Sequence, residues 1–247
     1  MRPPVDTITA PPLPRDLEWV NIATLRMDQQ LGRPVLVEFW DFCRPNSIRT
    51  LPYVRGWHAR YADAGLRVIG VHTPGFPPSA DPGAVRAAVT RLAVEHAVAI
   101  DSGLEVWDLY GNQGWPARYL FDRSLTLVDY HYGEGAYDET ERLVAGLLGV
   151  EPPPFVPLRP EDAPGAVLAP QTEDRPGAWS GPYEAGGVWA VVDGTGELHA
   201  NGRTVPVDGP GCVALVEHGR HTAGVIALEA SSGVTVLATC FTPGVAP

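Results

Sequence analysis

The stretch Pro34-Val-Leu-Val-Glu-Phe-Trp-Asp-Phe-Cys-Arg-Pro-Asn-Ser-Ile-Arg-Thr-Leu-Pro52 decides how this chain is read. Val35 to Trp40 is apolar apart from Glu38, the pattern of a strand buried on both faces. A short loop follows. Asn46 to Ala64 then place Leu51, Val54, His58 and Tyr61 at helical spacing, with Gly65 as a stop signal. Pro52 falls inside that helix, where it removes one backbone donor and bends the axis. The loop carries one thiol, Cys43, with Arg44 next to it and Ser47 one helical turn on. A cysteine just ahead of a helix N-terminus and beside a guanidinium has its thiolate favoured by both.

Working outward, Leu66 to Val71 predicts a second buried strand and Pro82 to His96 a second helix, with Pro82 in its first turn. Short strands are predicted at 98–100, 118–121 and 125–131, with Asp122-Arg-Ser124 as the turn between the last two. Asp138 to Leu148 predicts a closing helix whose acidic first turn suits its dipole. The order is β-α-β and then β-β-α, an α/β domain over residues 1–150.

Pro152, Pro153, Pro154, Pro157, Pro160, Pro164, Pro170 and Pro176 crowd the next stretch. Such a segment is stiff and extended, so residues 151–176 read as a linker. Residues 177–247 have almost no helical period. Short strands are predicted at 188–192, 197–200, 204–207, 212–216, 225–228 and 234–241, with Asn201-Gly202 as a hairpin signal. That pattern predicts a small all-β, sandwich-like domain.

With 247 residues the chain has room for both domains. Its net charge is −11, and all 18 basic residues are arginine. That acidity argues against a nucleic-acid partner, which needs a basic face. No run approaches the roughly 18 apolar residues of a membrane span. The opening Met-Arg-Pro-Pro-Val-Asp-Thr lacks the apolar core of a secretory leader, so a cytoplasmic location is expected. Three cysteines, Cys43, Cys212 and Cys240, cannot build a dense disulfide framework. Cys212 and Cys240 fall in predicted strands as small buried thiols.

Several stretches of the first domain carry a family resemblance. They are Val37-Glu-Phe-Trp40, Arg49-Thr-Leu-Pro-Tyr53, Gly65-Leu-Arg-Val-Ile-Gly-Val-His-Thr-Pro74, Trp107-Asp-Leu-Tyr-Gly-Asn112, Trp115-Pro-Ala-Arg-Tyr-Leu120 and Gly133-Glu-Gly-Ala-Tyr-Asp-Glu-Thr-Glu141. Over about residues 17–150 the chain resembles the redoxin (TlpA-like) thioredoxin-fold domain of DipZ-type proteins. The β-rich tail is similar to the extra domain that some of them carry.

The resemblance implies a thioredoxin-like fold and thiol-disulfide exchange through C-x-x-C. The two positions that hold those cysteines in the family are Arg44 and Ser47 here. It also implies a buried acid at Glu38 for proton transfer, a cis bond at Trp115-Pro116, and a substrate groove involving Trp40, Trp115, Pro116 and His72. A thiol, a disulfide or an extended polypeptide is the implied substrate.

Three functional readings follow. In the first, the chain is a divergent thiol-disulfide oxidoreductase acting as a monothiol through Cys43, whose loop position predicts partial exposure. In the second, it is a redox-inactive thioredoxin-fold module that binds a ligand or protein beside Pro116. In the third, the tail binds metal or ligand and the first domain is its scaffold. His72 is either a proton carrier near Cys43 or a hydrogen-bonded loop histidine. His199, His218 and His221 lack an ordered metal-binding pattern, and no metal or cofactor is expected. Trp179, Tyr183 and Trp189 read as core residues of the tail.

Overall fold

The computed structural model describes residues 5–247. It divides into two compact units, one of Met1–Asp41 with Asn46–Phe155, the other of Phe42–Pro45 with Val156–Pro247.

The first unit is built on a six-stranded sheet. Its strands are β1 (Glu18–Val20), β2 (Val35–Trp40), β3 (Arg67–His72), β4 (Ala97–Ile100), β5 (Ala117–Phe121) and β6 (Leu127–Tyr132), in the order β1-β4-β3-β2-β5-β6. β2, β3 and β4 run parallel, while β5 and β6 return antiparallel. All six residues of β2 are buried, as its near-continuous apolar run requires of a central strand.

The two faces sort by alternation along β2. Val35, Val37 and Phe39 join Trp19, Met27, Val106 and Tyr119 in one core. Leu36 joins Val54, Trp57, Tyr61, Tyr137 and Val144 in the other. Those last residues come from α1 (Pro45–Tyr61) and α4 (Tyr137–Leu148). Since residues two apart share a face, Glu38 and Trp40 point the same way as Leu36, toward α1 and α4.

Two helices differ from expectation. The second, α2, runs only over Pro82–Arg91. Ala93 follows at φ +49° and breaks the helix before His96. A short α3 (Glu105–Leu109) was not visible in the apolar period, because five residues carry too little of it. Both carboxylate oxygens of buried Asp101 hold it, accepting from Val106 N–H at 3.1 Å and Trp107 N–H at 3.0 Å.

One close approach sits in mid-sheet. A Cβ at Gly70 would lie 3.0 Å from Trp40 Nε1 and 3.1 Å from His96 Nε2, both in buried rings. Gly70→Ala is expected to cost about 1–3 kcal/mol, the usual penalty of overpacking. Urea unfolding checks this, and a wild-type midpoint would show that the rings move aside freely.

In the second unit the proline-rich stretch is not simply a tether. It contributes β7 (Leu168–Ala169) and β8 (Arg175–Pro176). The remaining strands are β9 (Gly181–Gly194), β10 (Gly196–Ala200), β11 (Arg203–Val207), β12 (Gly211–Ile226), β13 (Leu228–Ala230), β14 (Val234–Thr242) and β15 (Gly244–Val245). They form a four-stranded sheet β12-β9-β14-β8, a three-stranded sheet β11-β10-β13 and the pair β15-β7. Pro176 is tolerated because β8 is an edge strand.

Val188, Ala190 and Val192 of β9 share one core with Leu198, Ala200, Val207 and Leu228 of the smaller sheet. Tyr183 and Trp189 are buried, and the Trp179 ring packs edge-on to Phe241 at 5.7 Å. At the expected hairpin, Asn201 and Gly202 have φ of +49° and +76° between β10 and β11, the two positive values a type I′ turn needs.

β9 and β12 are much longer than the apolar runs suggest. Gly186 and Gly187, which precede the expected strand at 188–192, lie inside β9. A Cβ on Gly186 would come within 2.1 Å of the Pro243 carbonyl oxygen, so the glycine marks a close backbone contact. No helix among the described residues is long and apolar enough to cross a membrane.

Candidate active site

The loop from β2 into α1 is where the sequence places its chemistry. Ser47 sits in the first turn of α1, fully buried, and its Oγ accepts the Asp41 N–H at 3.2 Å. The hydroxyl is therefore used to close the loop. Asp41, also buried, accepts the Gly75 N–H on Oδ2 at 2.7 Å, and His72 Nε2 stands 3.7 Å from its Oδ1.

Thr73 N–H in turn donates to the Trp40 carbonyl at 3.1 Å. The Trp115 indole N–H is shared between the Thr73 carbonyl oxygen and Oγ1, at 3.0 and 2.9 Å. Ser47, Asp41, His72, Thr73 and Trp115 thus form one connected group. The Trp115-Pro116 bond is cis, as expected. Asp41 and Thr73 had no motif of their own, and only position next to the loop and to His72 could have suggested them.

Cys43 corrects the sequence reading. Partial exposure was expected, and the residue is 0% exposed. Every residue from Asp41 to Pro45 except half-buried Arg44 is buried, so the loop does not display the thiol. No pair among Cys43, Cys212 and Cys240 forms a disulfide. Cys212 is half-buried, and burial together with the nearby Asp174 carboxylate pushes the Cys240 thiol up.

His72, expected either as a proton carrier near Cys43 or as a hydrogen-bonded loop histidine, is fully buried. Burial pulls its pKa down to about 3, which favours the neutral ring. It is packed edge-on against Trp40 with ring centroids 5.0 Å apart. Trp40 and Pro116 are buried as well. Trp115 alone of the four expected substrate contacts is half-exposed, packed 4.3 Å from Trp107.

Glu38 is fully buried in β2, and neither carboxylate oxygen has a hydrogen-bond partner. Its register partner on β5 is Arg118, a residue the sequence reading did not single out. The Arg118 guanidinium lies over the Tyr137 and Trp57 rings at 5.1 and 5.7 Å, and one nitrogen donates to the Gly135 carbonyl at 2.6 Å. Burial pushes Glu38 up to about 8, with the charge of Arg118 opposing. At neutral pH the group is a carboxylic acid facing a cation.

In the tail, the three histidines go to different partners. His218 Nε2 meets the Tyr183 hydroxyl at 2.9 Å, His221 lies 3.8 Å from Glu184, and His199 Nδ1 meets Thr204 Oγ1 at 3.2 Å. Among the described residues no three His, Cys, Asp or Glu side chains are grouped to hold a metal ion.

Comparison with known proteins bears on the same region. No protein-family model matches the chain. Protein DipZ of Mycobacterium bovis is 36% identical over 207 residues, which is 78% of this chain and 30% of that protein. The thiol-disulfide oxidoreductase YkuV of Bacillus subtilis is 27% identical over 139 residues, 56% of this chain and 93% of that one. The solution structure of a thioredoxin-like protein in the oxidized form superposes with a TM-score of 0.52 at 26% identity, covering 58% of this chain and 97% of that one. The chain spans under a third of the DipZ relatives' length.

Proposed function

Because the chain belongs to the thioredoxin-fold, thiol-disulfide oxidoreductase-like family, with DipZ-type relatives, we propose that its first domain is a redox-inactive member that works by binding. One observation carries this reading: the loop offers solvent no thiol. Arg44 and Ser47 occupy the cysteine positions, and Cys43 is buried. Exchange requires an attacking thiolate that reaches its substrate and a second thiol that resolves the mixed disulfide. Neither is on display. The activity in the name of the B. subtilis relative is therefore the one this loop argues against.

The binding surface we favour is the rim made by Trp115 and Trp107. Both rings are half-exposed, and the Trp115 indole is fixed by Thr73. Rigid aromatic rings anchor extended polypeptides at little entropic cost. A peptide partner beside this rim matches the substrate geometry that the family resemblance implies.

The test is a timed iodoacetamide series read by mass spectrometry. Half-buried Cys212 should be alkylated first. Cys43 and Cys240 should lag by at least about tenfold, since reaction then waits on local opening. Cys43 labelling ahead of Cys212 at neutral pH would return the monothiol reading and remove this one.

A further inference from the structure

The first unit holds a cavity of about 410 Å³ whose lining includes four tyrosines. Tyr110, Tyr119, Phe121, Tyr130 and Tyr132 line it together with Leu109, the polar but uncharged Gln113 and the segment around Thr9. That segment is held in place by backbone pairing: Leu127 N–H donates to the Ile8 carbonyl at 2.8 Å and Ala10 N–H to the Leu125 carbonyl at 2.9 Å. Leu109 and Tyr132 are 46% and 39% exposed, so the mouth presents apolar surface to solvent. The size falls in the roughly 300–1,000 Å³ range of small-molecule sites, and aromatic walls with few polar groups are their usual lining. No lining residue among those described carries a charge.

The polar groups in this wall have a fixed direction. The Asn112 side-chain N–H donates to the Gly114 carbonyl at 3.1 Å, which leaves Oδ1 as the acceptor for the Tyr119 hydroxyl at 2.9 Å. With its proton so used, the Tyr119 oxygen can only accept from the Tyr132 hydroxyl, 3.0 Å away. Tyr132 therefore keeps free lone pairs near the mouth and no free proton. A ligand hydroxyl supplies the proton that these Tyr132 lone pairs can accept.

We infer that this cavity binds a neutral, planar aromatic molecule bearing a hydroxyl group, a phenol-type ligand, with the hydroxyl donating to Tyr132. Charged analogues are disfavoured, because no charged side chain in the wall would offset their desolvation. The inference stands whether or not the proposed peptide rim is correct.

The probe is 2-naphthol, followed by its own fluorescence anisotropy and by calorimetry on the full chain. One saturable site with a Kd of roughly 0.1 mM or below is expected. Masking the donor as 2-methoxynaphthalene should weaken binding about tenfold, the loss of one buried hydrogen bond. 2-Naphthoate, charged at neutral pH, should not bind. Tyr132→Phe, which deletes only an oxygen at a part-exposed position, should erase the preference for naphthol over its ether. Leu109→Trp, which fills the mouth, should abolish binding. Absence of saturation up to about 1 mM overturns the inference, as does binding that neither variant alters.

Discussion

Insulin disulfides are expected to be reduced by the wild-type chain at least about a hundredfold more slowly than by a dithiol thioredoxin at equal concentration. A serine hydroxyl and a guanidinium cannot form or resolve a mixed disulfide, and Ser47 and Arg44 are what the loop carries. Ser47 is also committed to Asp41 N–H. The double variant Arg44→Cys, Ser47→Cys separates geometry from access. Its two thiols would sit one helical turn apart at the start of α1, so a reversible disulfide should form with a small oxidant. Insulin turnover should rise above wild type only as far as the loop opens, because its neighbours Cys43 and Pro45 are buried. Wild-type turnover comparable with the dithiol protein would end the redox-inactive reading. A folded double variant without a disulfide would show that the loop geometry has diverged along with its residues.

The first unit was legible because its elements announce themselves locally. The apolar run of β2, broken only by Glu38, the helix stop at Gly65 and the acidic start of α4 each point to one structure. The chemistry at the loop was legible as composition: which residues stand at 43, 44 and 47. Exposure was not, since burial of Cys43 and His72 depends on what folds over them, and strand or loop period says nothing about that. The opposite happened in the tail. Glycines there suggested frequent turns, yet Gly186 and Gly224 lie within β9 and β12. At Gly224 the Tyr183 ring packs where a Cβ would stand, 2.8 Å from its nearest atom. A glycine admits a turn and a close contact equally well, and only the partner in space decides between them. Arg118 was missed for a related reason. Within Ala117–Phe121 it reads as one polar residue in a short strand, and only the register with Glu38 gives it meaning.

Replacing Glu38 by glutamine is expected to stabilise the protein, by an amount that grows with pH. In the unfolded chain the carboxyl ionises near its ordinary value of 4.5, whereas burial in β2 pushes it up to about 8. Between those values the folded protein binds more protons than the unfolded one. Wild-type stability therefore falls as pH rises through this window, and the Glu38 contribution levels off above it. The slope is about 1.4 kcal/mol per pH unit, so the full window amounts to about 4–5 kcal/mol. Glutamine carries no such linkage. It also mimics the protonated acid, so the charge facing Arg118 is the same in both proteins below pH 8. Urea unfolding of the two proteins from pH 4 to pH 9 should give nearly equal stabilities at the acid end and a widening gap toward pH 8. Other carboxylates titrate alike in both and cancel in the difference. A gap that stays constant across the range would mean that Glu38 ionises in the fold as it does in water, with Arg118 or entering solvent supplying what burial removes.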